Sequence, residues 1–205
     1  MKLKICGMRD PQNIAQIAAL EPDYLGFIFY APSPRYVEKE SPAVPQPIKK
    51  VGVFVNASID HLLDCIKQHH LQAVQLHGEE NPAYCNEIKK TGIEVIKAFA
   101  VGIHFEFDQL NPYLNGCDFF LFDTQSELKG GSGKKFDWTL LHDYPFQKPF
   151  FLSGGIGPND IDAIKALKKT NLPLYALDVN SKFETAPALK NNSALSIFKK
   201  ELNDI

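Results

Sequence analysis

Paired metal or redox cysteines are missing from this chain. Cys6, Cys65, Cys85 and Cys117 form no CxxC motif and are too sparse for a disulfide-stapled scaffold. They are expected as free thiols in a reducing, cytoplasmic setting. The six histidines form no HExxH or spaced Cys/His set, so no metal is expected. No apolar run is long enough to span a bilayer, and Met1-Lys2-Leu3-Lys4 lacks the apolar core of a signal peptide. No membrane partner is therefore expected. Neither sign of charge dominates: 22 Lys and Arg stand against 24 Asp and Glu, a formal net charge of -2. Without a bulk basic field, nucleic acid is not an expected partner, and an anionic ligand must be held by local groups. The GxxxxGK[ST] phosphate loop is absent, as are linkers and low-complexity tracts.

What is present is a repeating alternation of apolar runs and amphipathic stretches over 205 residues, of which 44% are hydrophobic. The opening strand holds Leu3 and Ile5 on one face and Lys2, Lys4 and Cys6 on the other. Further strands are predicted over 24–29, 50–55, 73–76, 94–100, 118–122, 149–152 and 174–177. Several are nearly continuous in apolar residues, which suits a parallel sheet covered on both faces. Asp10 with Pro11, Asn56 or Ser58, and Asn81 with Pro82 are helix-start signals between them. Three prolines within 41–47 predict a short or distorted second helix, and 101–116 is too weakly patterned for a secure one. A last helix is predicted over 187–202. Eight βα-like units at this spacing give the fold class: α/β, a single (β/α)8 TIM barrel over residues 1–205.

The polar candidates stand at strand ends, where barrels of this kind keep their sites. Cys6 ends the first strand before a glycine turn. It reads either as a functional thiol, with Lys4 favouring the thiolate, or as a small buried hydrophobe. Arg35 sits in a stiff loop between Pro34 and Tyr36, placed to clamp a carboxylate or simply exposed to solvent. Gln75 and His77 share a face and suggest a polar cavity, although a satisfied core histidine fits His77 equally well. Asp123 follows four apolar residues, which suits a partly desolvated general acid, or a carboxylate paired with a lysine. The glycine-rich run 130–133 could serve as a lid. Gly154 and Gly155 allow close backbone approach to an oxyanion, and Asp178, Asn180 and Ser181 form the turn after the last strand. Lys4, Lys97 and Asp178 are expected to point into the barrel as a buried charge network.

Several pieces together resemble phosphoribosylanthranilate isomerases of tryptophan biosynthesis. They are Lys4-Ile5-Cys6-Gly7-Met8, Ser33-Pro34-Arg35-Tyr36, Val74-Gln75-Leu76-His77-Gly78, Phe122-Asp123-Thr124, Ser153-Gly154-Gly155-Ile156 and Leu177-Asp178-Val179-Asn180-Ser181. The resemblance implies a cofactor-free Amadori rearrangement of a small phosphosugar–anthranilate substrate by a monomer or homodimer. It implies Cys6 as general base and Asp123 as general acid. Arg35 would hold the anthranilate carboxylate, and the backbone around Gly154, Gly155, Asn180 and Ser181 the phosphate; His77 and Asp178 are further substrate-binding candidates. The chain departs from the family pattern at Lys182, where glycine is usual, and within Pro187-Ala188-Leu189-Lys190-Asn191, where Pro-Gly-x-Lys-Asp is usual. Two other readings stand beside it: a different phosphosugar isomerase or epimerase, and a non-catalytic phosphate-binding barrel.

Overall fold

The computed structural model describes residues 1–124 and 136–204. Eight parallel strands close into a barrel in chain order: β1 (Lys2–Ile5), β2 (Tyr24–Ile28), β3 (Lys49–Phe54), β4 (Ala73–Leu76), β5 (Glu94–Val101), β6 (Phe119–Thr124), β7 (Phe150–Leu152) and β8 (Leu174–Val179). The ring closes where β1 pairs with β8, Lys4 opposite Asp178. This is the (β/α)8 barrel that the strand spacing predicts. β6 and β8 run longer than their apolar cores, so Asp123 and Asp178 lie within strands and are aimed by the sheet.

Among the described residues, five α-helices pack outside: α1 (Pro11–Ala18), α2 (Ile59–His69), α3 (Pro82–Lys89), α4 (Ile161–Lys168) and α5 (Asn192–Asn203). Their starts follow local chemistry. The Asp10, Ser58, Asn81 and Asn191 side chains each accept a hydrogen bond from a first-turn N–H, and Pro11 and Pro82 open α1 and α3.

Three connections are not α-helical among the described residues. Segment 29–48 carries five prolines and has no helix at all. Phe107–Tyr113, interrupted by Pro112, and Trp138–Asp143 form 3-10 helices. The last helix starts later than its composition suggests. Pro187 and Ala188, the latter at φ +66°, turn the chain between two short antiparallel strands, β9 (Glu184–Ala186) and β10 (Leu189–Lys190). Where the helix after β2 is missing, the outer layer leaves a groove of about 1030 Å³ at the N-terminal end of the barrel. Charges there pair with one another: Lys2 with Asp23 and Lys49 with Glu94, both at 2.6 Å.

Two apolar layers result. The larger lies between sheet and helices and takes Leu3, Ile5, Val74, Leu76 and Val95 from the outward strand positions. The smaller plugs the barrel with Tyr24, Val51, Ala73, Ile96, Ala98, Leu121, Phe151 and Ala176. Period two then sets what lies above the plug. Two residues beyond Ala73, Leu121 and Ala176 come Gln75, Asp123 and Asp178, on the same inward face.

Candidate active site

A cavity of about 320 Å³ opens at the C-terminal ends of the strands. Cys6, Arg35, His77, Asp123, Gly154, Gly155, Asp178, Asn180 and Ser181 all line it. The candidates chosen from strand-end position and from the resemblance are thus brought together in one place. The larger groove at the other end of the barrel holds none of them.

The floor of the cavity is a buried polar layer. Lys4 is fully buried, and its Nζ donates to Asp178 Oδ2 and to Gln75 Oε1, each at 2.7 Å. Burial pulls the Lys4 ammonium down, but Asp178 and Cys6 together raise it further. The remaining oxygen of the Asp178 carboxylate, Oδ1, is buried without a hydrogen-bond partner among the described residues.

Lys97 does not join this layer, contrary to expectation. It lies beside Leu76 in the parallel register, and neighbours across such a pair share a face. Leu76 faces the helices, so Lys97 does too. There it is buried, with Nζ 3.0 Å from Glu80 Oε2 and 2.8 Å from the Gly78 carbonyl. Its work is to hold the turn after β4, next to His77.

Cys6 stands one same-face step above Lys4. Gly26 on the neighbouring strand makes room for it, since a Cβ there would lie 2.7 Å from Sγ. Burial pushes the Cys6 thiol up; Lys4 and Lys190 pull it back only in part, while Asp178 adds to the rise. Lys4 acts in the expected direction, but desolvation outweighs it.

Asp123 keeps about a fifth of its side-chain surface, so its desolvation is partial. Oδ1 accepts from the Thr124 N–H at 2.8 Å, and Oδ2 lies 3.3 Å from His77 Nε2. His77 Nδ1 is 2.7 Å from Gln75 Nε2. Gly154 packs against this carboxylate with φ +91°; a Cβ there would overlap Thr124 and lie 2.9 Å from Asp123 Oδ1.

Arg35 is not a free surface side chain. Its Nε–Nη2 edge grips Glu184, with Nη2 2.6 Å from Oε2 and Nε 2.9 Å from Oε1. Nη1 makes no hydrogen bond among the described residues. Glu184 is also bound by Lys190, whose Nζ lies 2.6 Å from Oε1 and 2.6 Å from Asn180 Oδ1. Burial raises the Glu184 carboxyl, but Arg35 and Lys190 outweigh it and hold it below the usual range. Lys190 and the pairing of Glu184 escape a reading of the sequence, because both arise from the β9–β10 hairpin. Their only local trace is a charged pair flanking a Pro-Ala turn.

Lys182 also lines the cavity, and its stem packs over Gly157, where a Cβ would come within 3.3 Å of Lys182 Cβ. The turns after β7 and β8 are therefore neighbours, as an anion cradle of this fold requires. The glycine-rich run 130–133, expected as a lid, lies outside the described residues. No cluster of three or more His, Cys, Asp or Glu among the described residues could hold a metal ion, and no described helix is long and apolar enough to cross a membrane.

Comparison with known proteins places this geometry. A family model for N-(5'-phosphoribosyl)anthranilate (PRA) isomerase matches residues 3–201. The N-(5'-phosphoribosyl)anthranilate isomerase of Parabacteroides distasonis is 42% identical over 98% of this chain and 93% of its own length. The phosphoribosyl anthranilate isomerase structure from Thermotoga maritima superposes with a TM-score of 0.86 at 33% identity, covering 100% of both chains. A phosphoribosyl anthranilate isomerase solved in complex with reduced 1-(o-carboxyphenylamino)-1-deoxyribulose 5-phosphate superposes with a TM-score of 0.80 at 29% identity, again over 100% of both. With a matching family model over nearly its whole length, the same barrel, and the family's motifs gathered around one cavity, the chain belongs to the N-(5'-phosphoribosyl)anthranilate isomerase family.

Proposed function

We propose that the chain isomerises N-(5-phosphoribosyl)anthranilate to 1-(2-carboxyphenylamino)-1-deoxyribulose 5-phosphate in tryptophan biosynthesis, with Asp123 as general acid and Cys6 as general base. The observation that carries this reading is the meeting of a carboxyl, a thiol and an arginine around one cavity beside a glycine-rich anion cradle. The substrate is a cytoplasmic metabolite in this reading, which agrees with four free cysteines. A monomer or homodimer is the expected assembly.

Asp123 donates its proton to the furanose ring oxygen. The C1–O bond breaks as the anthranilate nitrogen lone pair forms a C1=N iminium. The Cys6 thiolate then takes the C2 proton, and the C2–H electrons form the C1=C2 bond while the iminium π electrons return to nitrogen. The resulting enolamine loses its O2 proton and gains one at C1, giving the ketone. Hydrogen is moved within one molecule, so no oxidant or reductant is consumed.

Each group suits its step. Asp123 is held at Oδ1 by the Thr124 N–H and faces His77 Nε2 at 3.3 Å from Oδ2, which orients the carboxyl before reaction. Cys6 is the reactive base only as its thiolate, and the thiol proton goes to solvent before turnover. Lys4 favours that minority form and burial disfavours it, so the active fraction grows with pH. The partnerless Asp178 Oδ1 is an acceptor for a hydroxyl of the opened sugar. Arg35 keeps Nη1 for the anthranilate carboxylate. Gly154, Gly155, Asn180, Ser181 and the ammonium of Lys182 receive the phosphate.

The test is turnover of phosphoribosylanthranilate by wild type, Cys6→Ala and Asp123→Asn, each checked for folding by circular dichroism. Loss of about 10²–10⁴-fold in kcat is expected for both folded variants, the range for a single general acid or base. A wild type that binds a product analogue without turnover would establish a binding barrel instead.

A further inference from the structure

The polar layer under the cavity has a direction, and that direction ends on Asp123. An ammonium has donors and no acceptor. Lys4 Nζ is buried and lies 2.7 Å from one end of the Gln75 amide, so that end must be the carbonyl oxygen. The other end, an NH₂ that only donates, then faces His77 Nδ1 at 2.7 Å. Nδ1 therefore accepts and carries no proton. The neutral ring must hold its proton on Nε2, the atom 3.3 Å from Asp123 Oδ2. At each step the previous group leaves only one role open.

We infer that Lys4, Gln75 and His77 are positioning residues: a one-way hydrogen-bond chain from Lys4 through Gln75 fixes the Nε2–H tautomer of His77 and so turns that N–H toward Asp123 Oδ2, 3.3 Å away. The inference rests on the reading of Asp123 as the general acid and adds how that acid is kept on task. In the opposite tautomer a bare Nε2 would face the carboxyl and take up its proton. With Nε2 already protonated, His77 cannot do so, and the proton of Asp123 is left for the ring oxygen of the substrate. Once that proton has gone, the positive end of the same N–H dipole faces the new carboxylate and stabilises it. Lys97 holds the Gly78 carbonyl and Glu80 in the turn that follows His77.

Lys4 is also the strongest positive influence on Cys6. One buried cation thus sets the charge environment of the base directly and the orientation of the acid through two intermediaries. Asp178 balances its charge without entering the path to His77.

The experiment combines a spectrum with kinetics. Full-length protein labelled with ¹⁵N in histidine is examined by long-range ¹H–¹⁵N NMR, the His77 signals being assigned by their loss in His77→Gln. Wild type is expected to show the Nε2–H tautomer. Gln75→Glu keeps the side-chain size and the bond to Lys4, but its carboxylate can only accept. His77 Nδ1 must then gain a proton, and the spectrum should show it. kcat is expected to fall about 10- to 100-fold, the scale seen when the partner that orients a functional imidazole is changed, with a much smaller change in KM. His77→Gln, which offers an amide N–H to Asp123, should retain more kcat than His77→Leu. A wild-type Nδ1–H tautomer overturns the inference, and this arm stands even where Gln75→Glu does not fold. A Gln75→Glu protein that folds, protonates Nδ1 and keeps full kcat overturns it as well. Full activity in Asp123→Asn would instead overturn the acid assignment, which separates the two failures.

Discussion

Arg35 and Glu184 meet edge to edge, with Nη2 2.6 Å from Oε2 and Nε 2.9 Å from Oε1, across 149 residues of sequence. Lys190 bonds the same carboxylate from another side. A planar guanidinium held this way has its remaining N–H groups aimed before a ligand arrives. The arginine expected to clamp a substrate carboxylate is thus itself clamped by a protein one.

That pairing sets a pH dependence of stability. The Glu184 carboxyl is held below its ordinary value in the folded chain. A depressed carboxyl contributes stability that is present above its unfolded value and lost as pH falls through its folded value. Glu184→Gln leaves Lys190 buried without its anion and should cost about 3–5 kcal/mol at neutral pH. The difference in melting temperature between wild type and variant should shrink as pH drops below the usual carboxylate range. Thermal melts in a pH series check this; a constant difference would mean that ionisation of Glu184 is not what stabilises the site.

Lys182 gives a cleaner measurement, because it is exposed and its loss leaves nothing buried. A hydrogen bond to a charged group is worth about 1.5–3 kcal/mol. Lys182→Gly should therefore raise KM for the phosphorylated substrate about tenfold or more, with little change in kcat, and weaken inhibition by inorganic phosphate in parallel. An unchanged KM would show that the ammonium does not reach the phosphate.

Cys6 should behave as a thiol at neutral pH. With burial pushing it above its ordinary value, alkylation by iodoacetamide and kcat/KM should both climb with pH through the neutral and alkaline range. Lys4→Met removes the strongest pull toward thiolate, so both curves should move to higher pH. The same change leaves Asp178 buried and unpaired, at a cost of about 3–5 kcal/mol in chemical denaturation. A plateau already reached at neutral pH would show instead that the resting base is ionised.

Gly154→Ala should damage the acid from a neighbouring loop. At φ +91° an L-residue is strained, by about 1–2 kcal/mol, and the added methyl group meets Thr124 and Asp123. A fall in kcat is expected from displacement of the acid, together with a rise in KM because Gly154 also belongs to the proposed phosphate cradle. Steady-state kinetics beside a denaturation curve separate the two effects.

Much of the barrel was legible because its signals are local. Apolar runs mark strands, and Asp10-Pro11, Ser58 and Asn81-Pro82 mark helix starts within a few residues. Lys97 shows where such reasoning stops. Period two correctly groups Lys97 with Val95 and Phe99, but in a strand this apolar it does not say which face looks inward. That depends on Glu80 folding back behind β4, a contact between separate elements. The balance of forces on Cys6 is hidden for a related reason. Lys4 is two residues away and visible; the surroundings that bury the thiol come from the whole closed ring. The partner of Arg35 was hidden because a two-stranded hairpin, not a longer helix, follows the 3-10 turn Ser181–Phe183.

The closure of β1 on β8 also has a consequence for synthesis. Cys6 is made well before Asp178, the anion of its neighbouring ammonium, which comes 174 residues after Lys4. Until β8 leaves the ribosome, the nascent sheet has two open edges, and Lys4 has no carboxylate to balance it. The electrostatic setting of the thiol is therefore assembled last, by the same strand that seals the barrel. A truncated chain would hold every residue of the acid–base pair and still lack the environment in which they differ from ordinary side chains.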